Sequence, residues 1–297
     1  MPTRPALNDC IHPTYLPYSR EALRDHFSDE RHIDQLQHSS ERLQTYLDRY
    51  QGRTRGLSIT GEVKRERQLE RDERAWTISA LKATFDASQL EALTFGGLAH
   101  FGADRGVTPG LGDSPQLRFE VGVPSPVCYS ESLRERYERT DASVGLVPYI
   151  SHAATGRARL ESATRADAVV LGEKADLLIE SKLLSDSSSS VRFDPFRNQI
   201  ARNLDLLLEE KSPVFEQAMQ DRYFLLLTPA VFRDRPRSRH YGMLLHEYVA
   251  RPESLVADLP HRDAELVRAL THRIGWITFE DCRTLVPTAC PWLDATN

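Results

Sequence analysis

The chain has 297 residues, 40% of them hydrophobic, enough to bury a core in one large domain or two small ones. Charged residues make up 27%, and no apolar run approaches the ~18 residues a membrane helix needs, so a transmembrane protein and a wholly disordered chain are excluded. The start, Met1-Pro2-Thr3-Arg4, carries no apolar leader segment, and a cytoplasmic location is expected.

The net charge of -5 hides an uneven use of cations, with 33 Arg against 5 Lys. Arginine richness can signal phosphate neutralisation. Here the arginines are dispersed among 43 carboxylates, a pattern that coding bias explains, so charge alone does not assign a nucleic-acid binder. The scarce lysines are Lys64, Lys82, Lys174, Lys182 and Lys211. Cys10, Cys128, Cys282 and Cys290 have neither CxxC spacing nor a nearby histidine pair, which argues against structural zinc and a disulfide scaffold.

Residues 1 to about 30 contain Pro2, Pro5, Pro13 and Pro17 and read as an irregular arm. Ile33, Leu36, Leu43 and Leu47 form an apolar stripe that predicts a helix over Asp29 to Tyr50, ended by Gly52, Gly56 and Gly61. A second helix is expected from Lys64 to Thr84, with Leu69, Trp76 and Ala80 on one face. Glu73 falls inside that apolar face and needs a partner, either a neighbouring arginine or the chemistry of an active site. This reading divides the chain into an arm and helical extension, 1–62, and a main domain, 63–297.

Six of the fifteen glycines lie between Gly96 and Gly112. They match neither a Walker A loop nor a dinucleotide fingerprint, and a mobile loop or lid is expected. Short strands are predicted over 117–123 and 144–150. Ala166 to Leu171 and Ala175 to Leu184 then form two apolar strands around Gly172-Glu173-Lys174, a hairpin signature. A Ser-rich loop leads to a helix predicted from Asp194 to Glu210, with Pro195 in its first turn. Tyr223 to Thr228 reads as a buried strand, Arg233, Arg235, Arg237 and Arg239 as an extended loop, and Met243-Leu244-Leu245 as a further apolar run. A helix from His261 to Arg273 and the segment Ile274 to Phe279 close an α/β core.

Three Glu-x-Lys triplets occur, at Glu62-Val63-Lys64, Glu180-Ser181-Lys182 and Glu209-Glu210-Lys211. Chance alone supplies roughly 0.7 acid-x-Lys triplets, so context must decide. Only the second lies in an apolar strand, where period-2 geometry sends Glu180 and Lys182 to one face. A symmetric turn pairs Leu171 with Asp176, and the same register brings Asp167 opposite Glu180, with Cβ atoms about 5 Å apart. Two facing acids in an apolar sheet call for a cation between them, and a divalent metal ion answers that need, with Lys182 one step along the same face. A buried salt bridge fixing the sheet is the competing account. Asp176 shares the face of Glu180 but lies about 13 Å along the strand, too far for a common metal, and is read as a strand-edge residue.

Asp167, Glu180-Ser181-Lys182 and Gln199 on the following helix together resemble the PD-(D/E)XK, or restriction-endonuclease-like, nuclease superfamily. The resemblance covers about residues 144 to 232, with the helix 64 to 84 as a first core helix contributing Glu73. Ala166 stands where the motif's name has Pro. The resemblance implies an α/β restriction-endonuclease-like core, a mixed central sheet flanked by helices, with a helical N-terminal extension. It further implies Mg²⁺, with Mn²⁺ as a substitute, on Asp167, Glu180 and the Ser181 carbonyl. Lys182 would orient or deprotonate water and stabilise charge at phosphorus, Gln199 would hold water or phosphate, and Glu73 would complete the acid set. The expected substrate is DNA, its backbone met by Arg202 and by Arg233, Arg235 and Arg237. Double-strand cleavage would favour a homodimer. Two other classes compete: a nucleic-acid-binding or scaffold protein on a degenerate nuclease fold, and a phosphate-ester hydrolase or transferase using the 96–112 glycines.

Overall fold

Strands that are buried on both faces need unbroken apolar sequence, and Leu177 to Ile179 and Tyr223 to Leu227 supply it at the centre of a five-stranded sheet. The protein is described by a computed structural model over residues 10–12, 15–38, 72–102, 110–139, 161, 163–190, 194, 197–290 and 293. The helix segment 39–50, the breaks at Gly52, Gly56 and Gly61, Leu69 and the strand predicted over 144–150 lie outside the described residues.

In chain order, β1 (Cys10–His12) and β2 (Leu16–Ser19) make a hairpin that feeds α1 (Arg20–Arg24), and residues 31–38 are helical. Next come α2 (Glu73–Asp86), α3 (Leu90–Ala99), β3 (Gln116–Val123) and α4 (Val127–Arg139). The hairpin β4 (Thr164–Leu171) and β5 (Asp176–Ser181) leads through α5 (Gln199–Leu207) to β6 (Arg222–Thr228). Four helices follow: α6 (Ala230–Asp234), α7 (His240–Ala250), α8 (Pro252–Asp258) and α9 (Ala264–Leu270). The last elements are β7 (Ile274–Thr278) and α10 (Phe279–Leu285). The sheet order is β3-β4-β5-β6-β7, antiparallel through β5 and parallel from β5 to β7, so the architecture is mixed α/β with helices on both faces.

Alternation along the strands divides the core in two. Ala168, Val170, Leu177, Ile179, Leu225 and Leu227 face α2, α10 and the N-terminal segment. Val169, Leu171, Leu178, Phe224, Leu226 and Trp276 face α5, α7, α8 and α9. Each fully buried Leu, Ile or Phe contributes roughly 1.5–3 kcal/mol, so the sheet is stabilised from both sides.

Three expectations are corrected. Over its described residues, 10–12 and 15–30, the arm expected to be irregular is structured: Leu16, Leu23 and Phe27 enter the first core, and Phe119 N–H donates to the His26 carbonyl at 2.8 Å. Pro17 lies within β2 itself, and Pro2, Pro5 and Pro13 fall outside the described residues. Gly96 and Gly97 lie in α3 rather than in a lid, while 103–109 fall outside the described residues. A Cβ on Gly97 would come 2.4 Å from the Ile277 side chain, so glycine there permits α3 to lie on β7. The arginines from Arg233 to Arg239 are not on an extended loop; α6 and a 3₁₀ turn at Pro236–Ser238 carry them into α7, which also holds Met243 to Leu245.

Candidate active site

The hairpin register is Leu171 opposite Asp176, then Val170–Leu177, Val169–Leu178 and Ala168–Ile179, as the symmetric turn requires. One further step sets Asp167 beside Glu180. On the other side of β4, Phe119–Ala168 and Val121–Ala166 bracket Glu120, which leaves Glu120 beside Asp167. Glu120 has φ +54, a left-handed backbone conformation that costs a non-glycine residue about 1 kcal/mol or more and interrupts the ladder at this rung. Three carboxylates thus occupy neighbouring positions on three adjacent strands.

Glu180 is buried, and three donors converge on its carboxylate. Lys182 Nζ lies 2.5 Å and Gln199 Nε2 2.7 Å from Oε1, while Asn203 Nδ2 is 2.9 Å from Oε2. Gln199 and Asn203 reach it together because they sit one turn apart on α5. Asn198 caps that helix by accepting the Ala201 N–H at 2.8 Å. The helix therefore starts at Gln199, later than predicted, and Pro195 lies outside the described residues.

Glu73 is not in the middle of its helix. It is the first residue of α2, after the N-cap Asp72, where the positive end of the helix dipole favours a carboxylate. Its Oε2 accepts from Leu183 N–H and Ser185 Oγ–H, each at 2.8 Å, tying α2 to the end of β5. Its Oε1 lies 3.7 Å from Lys182 Nζ. Lys182, not a nearby arginine, is thus its cationic partner.

Asp167 Oδ2 accepts the Ser181 N–H at 2.7 Å. Burial raises the Asp167 pKa well above its ordinary value, and the charges of Glu180 and Glu73 push it the same way against Lys182 and the Ser181 N–H. Burial alone would lower the Lys182 ammonium, but Glu180, Glu73 and Asp167 outweigh it and hold the pKa above its ordinary value. Lys182 is therefore held as a cation among these acids, able to donate hydrogen bonds.

The donor set fits a hard divalent cation. Asp167, Glu180 and Glu73 outnumber Lys182, and the excess negative charge is poorly solvated. Asn203 Oδ1, on the side chain that bonds Glu180, is buried without a partner. Among the described residues no group of three or more His, Cys, Asp or Glu side chains is arranged to hold a metal, so a cation here would rest on two carboxylates, the Ser181 carbonyl and other oxygens.

Other expected positions separate from this centre. Arg202 Nε pairs with Glu161 Oε1 at 2.7 Å, in a buried network where Arg197 bridges Glu161 and Asp205. Arg233 is engaged by Asp281, with Nη2–Oδ1 at 3.0 Å. Both are thus engaged in ion pairs within the protein, where the resemblance had them meet the DNA backbone. Arg235 and Arg237 are exposed. Asp176 stands at the edge of its strand, as the first residue of β5, and is fully buried there, accepting the Glu216 and Gln217 N–H groups at 2.7 Å each. Among the described residues, the 460 Å³ cavity beside Gly112 is lined by the acids Asp86, Glu91 and Asp113, and 103–109 of the glycine-rich region lie outside the described residues.

No family model, curated protein or solved structure matches this chain. Among the described residues no helix is long and apolar enough to cross a membrane. Sequence reasoning missed Asn203 and Glu120. Asn203 was legible as the residue one turn after Gln199, whereas Glu120 alternates in phase with Arg118 in Leu117-Arg118-Phe119-Glu120-Val121, and only its left-handed backbone turns it inward.

Proposed function

We propose that the protein is a metal-dependent nuclease of the restriction-endonuclease-like fold, cleaving phosphodiester bonds in DNA at the Asp167, Glu180 and Lys182 centre. The observation that carries this reading is the meeting of Asp167 on β4, Glu180 and Lys182 at the end of β5, Glu73 at the start of α2 and Gln199 on α5. The order of a strand bearing Asp167, an antiparallel strand bearing Glu180 and a helix bearing Gln199 supports it, because the superfamily resemblance implies that order.

Each residue has work to do in such a reaction. Asp167, Glu180 and the Ser181 carbonyl would hold Mg²⁺, which supplies a more acidic water and charge neutralisation at the phosphate. Lys182 Nζ–H donates to the attacking water or a phosphoryl oxygen, and its fixed charge opposes the negative charge that builds at phosphorus. Glu73 Oε1, which faces Lys182 Nζ at 3.7 Å while Oε2 is anchored by hydrogen bonds, accepts the proton that water loses as its oxygen bonds to phosphorus. The bond from phosphorus to the leaving oxygen breaks, and that oxygen takes a proton from solvent. Gln199 and Asn203 hold the Glu180 carboxylate in place, which makes them positioning residues.

The deciding experiment is cleavage of plasmid, linear duplex and single-stranded DNA, and of RNA, with Mg²⁺, Mn²⁺ or EDTA. Metal-dependent cleavage that is lost in Glu180→Ala and Lys182→Ala is expected, and unchanged cleavage in both variants sinks the assignment. A second reading, a nucleic-acid-binding scaffold, draws on the closure of Glu180 by three donors, the pattern of a structural ion pair. It calls for DNA binding by the wild-type protein without cleavage under any metal.

A further inference from the structure

The catalytic cluster opens on one side into a cavity of about 490 Å³, and Glu73, Leu183 and Ser185 belong to both. We infer that this cavity binds one unpaired nucleotide of a DNA strand, next to the phosphate being cleaved, so that the substrate is single-stranded or frayed DNA. The inference rests on the nuclease reading above and names the form of its substrate.

The wall chemistry suits a nucleoside better than a phosphate alone. Asp72 is held by Arg74, with contacts of 3.2 Å, and Glu120 faces Arg165 at 3.5 Å, so the fixed charges are largely balanced. Gln35 uses its side-chain oxygen to accept from Arg74 at 2.7 Å, which leaves its NH₂ group to donate to a base carbonyl. Leu184 is 60% exposed, an apolar side chain held at the rim by the loop that Glu73 anchors, where a base face can cover it. A duplex cannot place a paired base in such a recess, whereas an unstacked nucleotide enters it.

Arg165 sets the direction of the strand. It lies two residues before Asp167 on β4, about 6.8 Å away along the strand, and its guanidinium reaches Glu120, the cross-strand neighbour of Asp167. Its side chain is 61% exposed, and the Glu120 contact engages Nη1 alone, so the rest of the guanidinium can meet the phosphate neighbouring the one at Asp167. Glu120, buried and in its left-handed conformation, keeps Arg165 at the cavity wall.

Fluorescence anisotropy on the full chain, with Ca²⁺ replacing Mg²⁺ to hold the complex without turnover, tests this with a labelled 12-mer of oligo-dT, a blunt 12-bp duplex and a matching RNA strand. The single DNA strand should bind about tenfold more tightly than the duplex, and Arg165→Ala and Leu184→Ala should each weaken it about fivefold with little effect on the duplex. Both side chains are exposed, so both variants should fold, which circular dichroism checks. Equal or tighter duplex binding, preference for the RNA strand, or wild-type binding by both variants overturns the inference. Cleavage assays on the same samples separate the two readings. Single-strand preference without any metal-dependent cleavage removes the nuclease and leaves the nucleotide site, and Mg²⁺-dependent duplex cleavage unaffected by either variant removes the nucleotide site and leaves the nuclease.

Discussion

Lys182 is surrounded by more negative charge than it can balance, and the sign of that imbalance separates an active site from a structural ion pair. Removing a cation from among three acids leaves them repelling in a poorly solvated place, so Lys182→Met should cost roughly 3 kcal/mol. Glu180→Gln keeps the shape, removes one repulsion and should leave thermal stability equal or higher while lowering cleavage at least ~100-fold. Calorimetry and cleavage rates on the two variants check this; a structural pair would lose stability in both. Asp167 supplies a pH signature. Its folded pKa lies well above the ordinary 3.8, so between those values the folded state holds a proton that the unfolded state has lost. Stability therefore falls as pH rises through that window, and Asp167→Asn should be the more stable protein at pH 7, with the difference closing towards pH 3. Denaturant unfolding across that range measures it, and a variant less stable at pH 7 would refute the charge argument. By mass action Mg²⁺ should raise the wild-type melting temperature and leave Asp167→Asn unmoved.

At the scale of elements, the β4–β5 hairpin was readable and α5 was not readable in full. Strand side chains alternate strictly, so one turn position sets every pair in the hairpin, and Leu171 does face Asp176. Helix α5 begins where Asn198 can accept the Ala201 N–H, and that choice depends on where Tyr248 and Asp258 hold the Asn198 amide, at 2.7 and 2.9 Å. Local pattern contains neither partner, and the predicted start at Asp194 was too early. Asn198→Ala should cost about 1–2 kcal/mol for the cap and more for the Tyr248 and Asp258 groups it leaves unpaired. Because α5 carries Gln199 and Asn203, the same change should lower kcat several-fold with little change in KM. Steady-state kinetics and unfolding on one preparation test the two together, and stability loss with an unaltered kcat would mean that α5 does not position Glu180.

Across the whole molecule, the N-terminal segment and the sheet share a core. Phe27 packs against Phe119 with ring centroids 5.5 Å apart and planes tilted by 35°, and Phe119 is the residue before Glu120 at the rung of three acids. Phe27→Ala should cost roughly 3–5 kcal/mol and keep a single cooperative transition, because the cavity it opens lies in the core that also holds α2 and β4. Coincident melting by near-ultraviolet and far-ultraviolet circular dichroism checks this, and two separated transitions would show that the N-terminal segment folds independently. What the sequence determined by itself was periodic or strictly local: an α/β chain, apolar strands on both sides of a tight turn, and an acid and a lysine on one face of β5. Which acids meet that lysine was decided only by tertiary structure. Glu73 arrives from 107 residues upstream of Glu180 through the packing of α2, Asn203 arrives through α5, and Glu120 through a kink in β3. Arg202 and Arg233 were drawn the other way, into ion pairs with Glu161 and Asp281. Long-range proximity follows from how buried faces pack, and a side chain's charge shows in sequence while its partner does not.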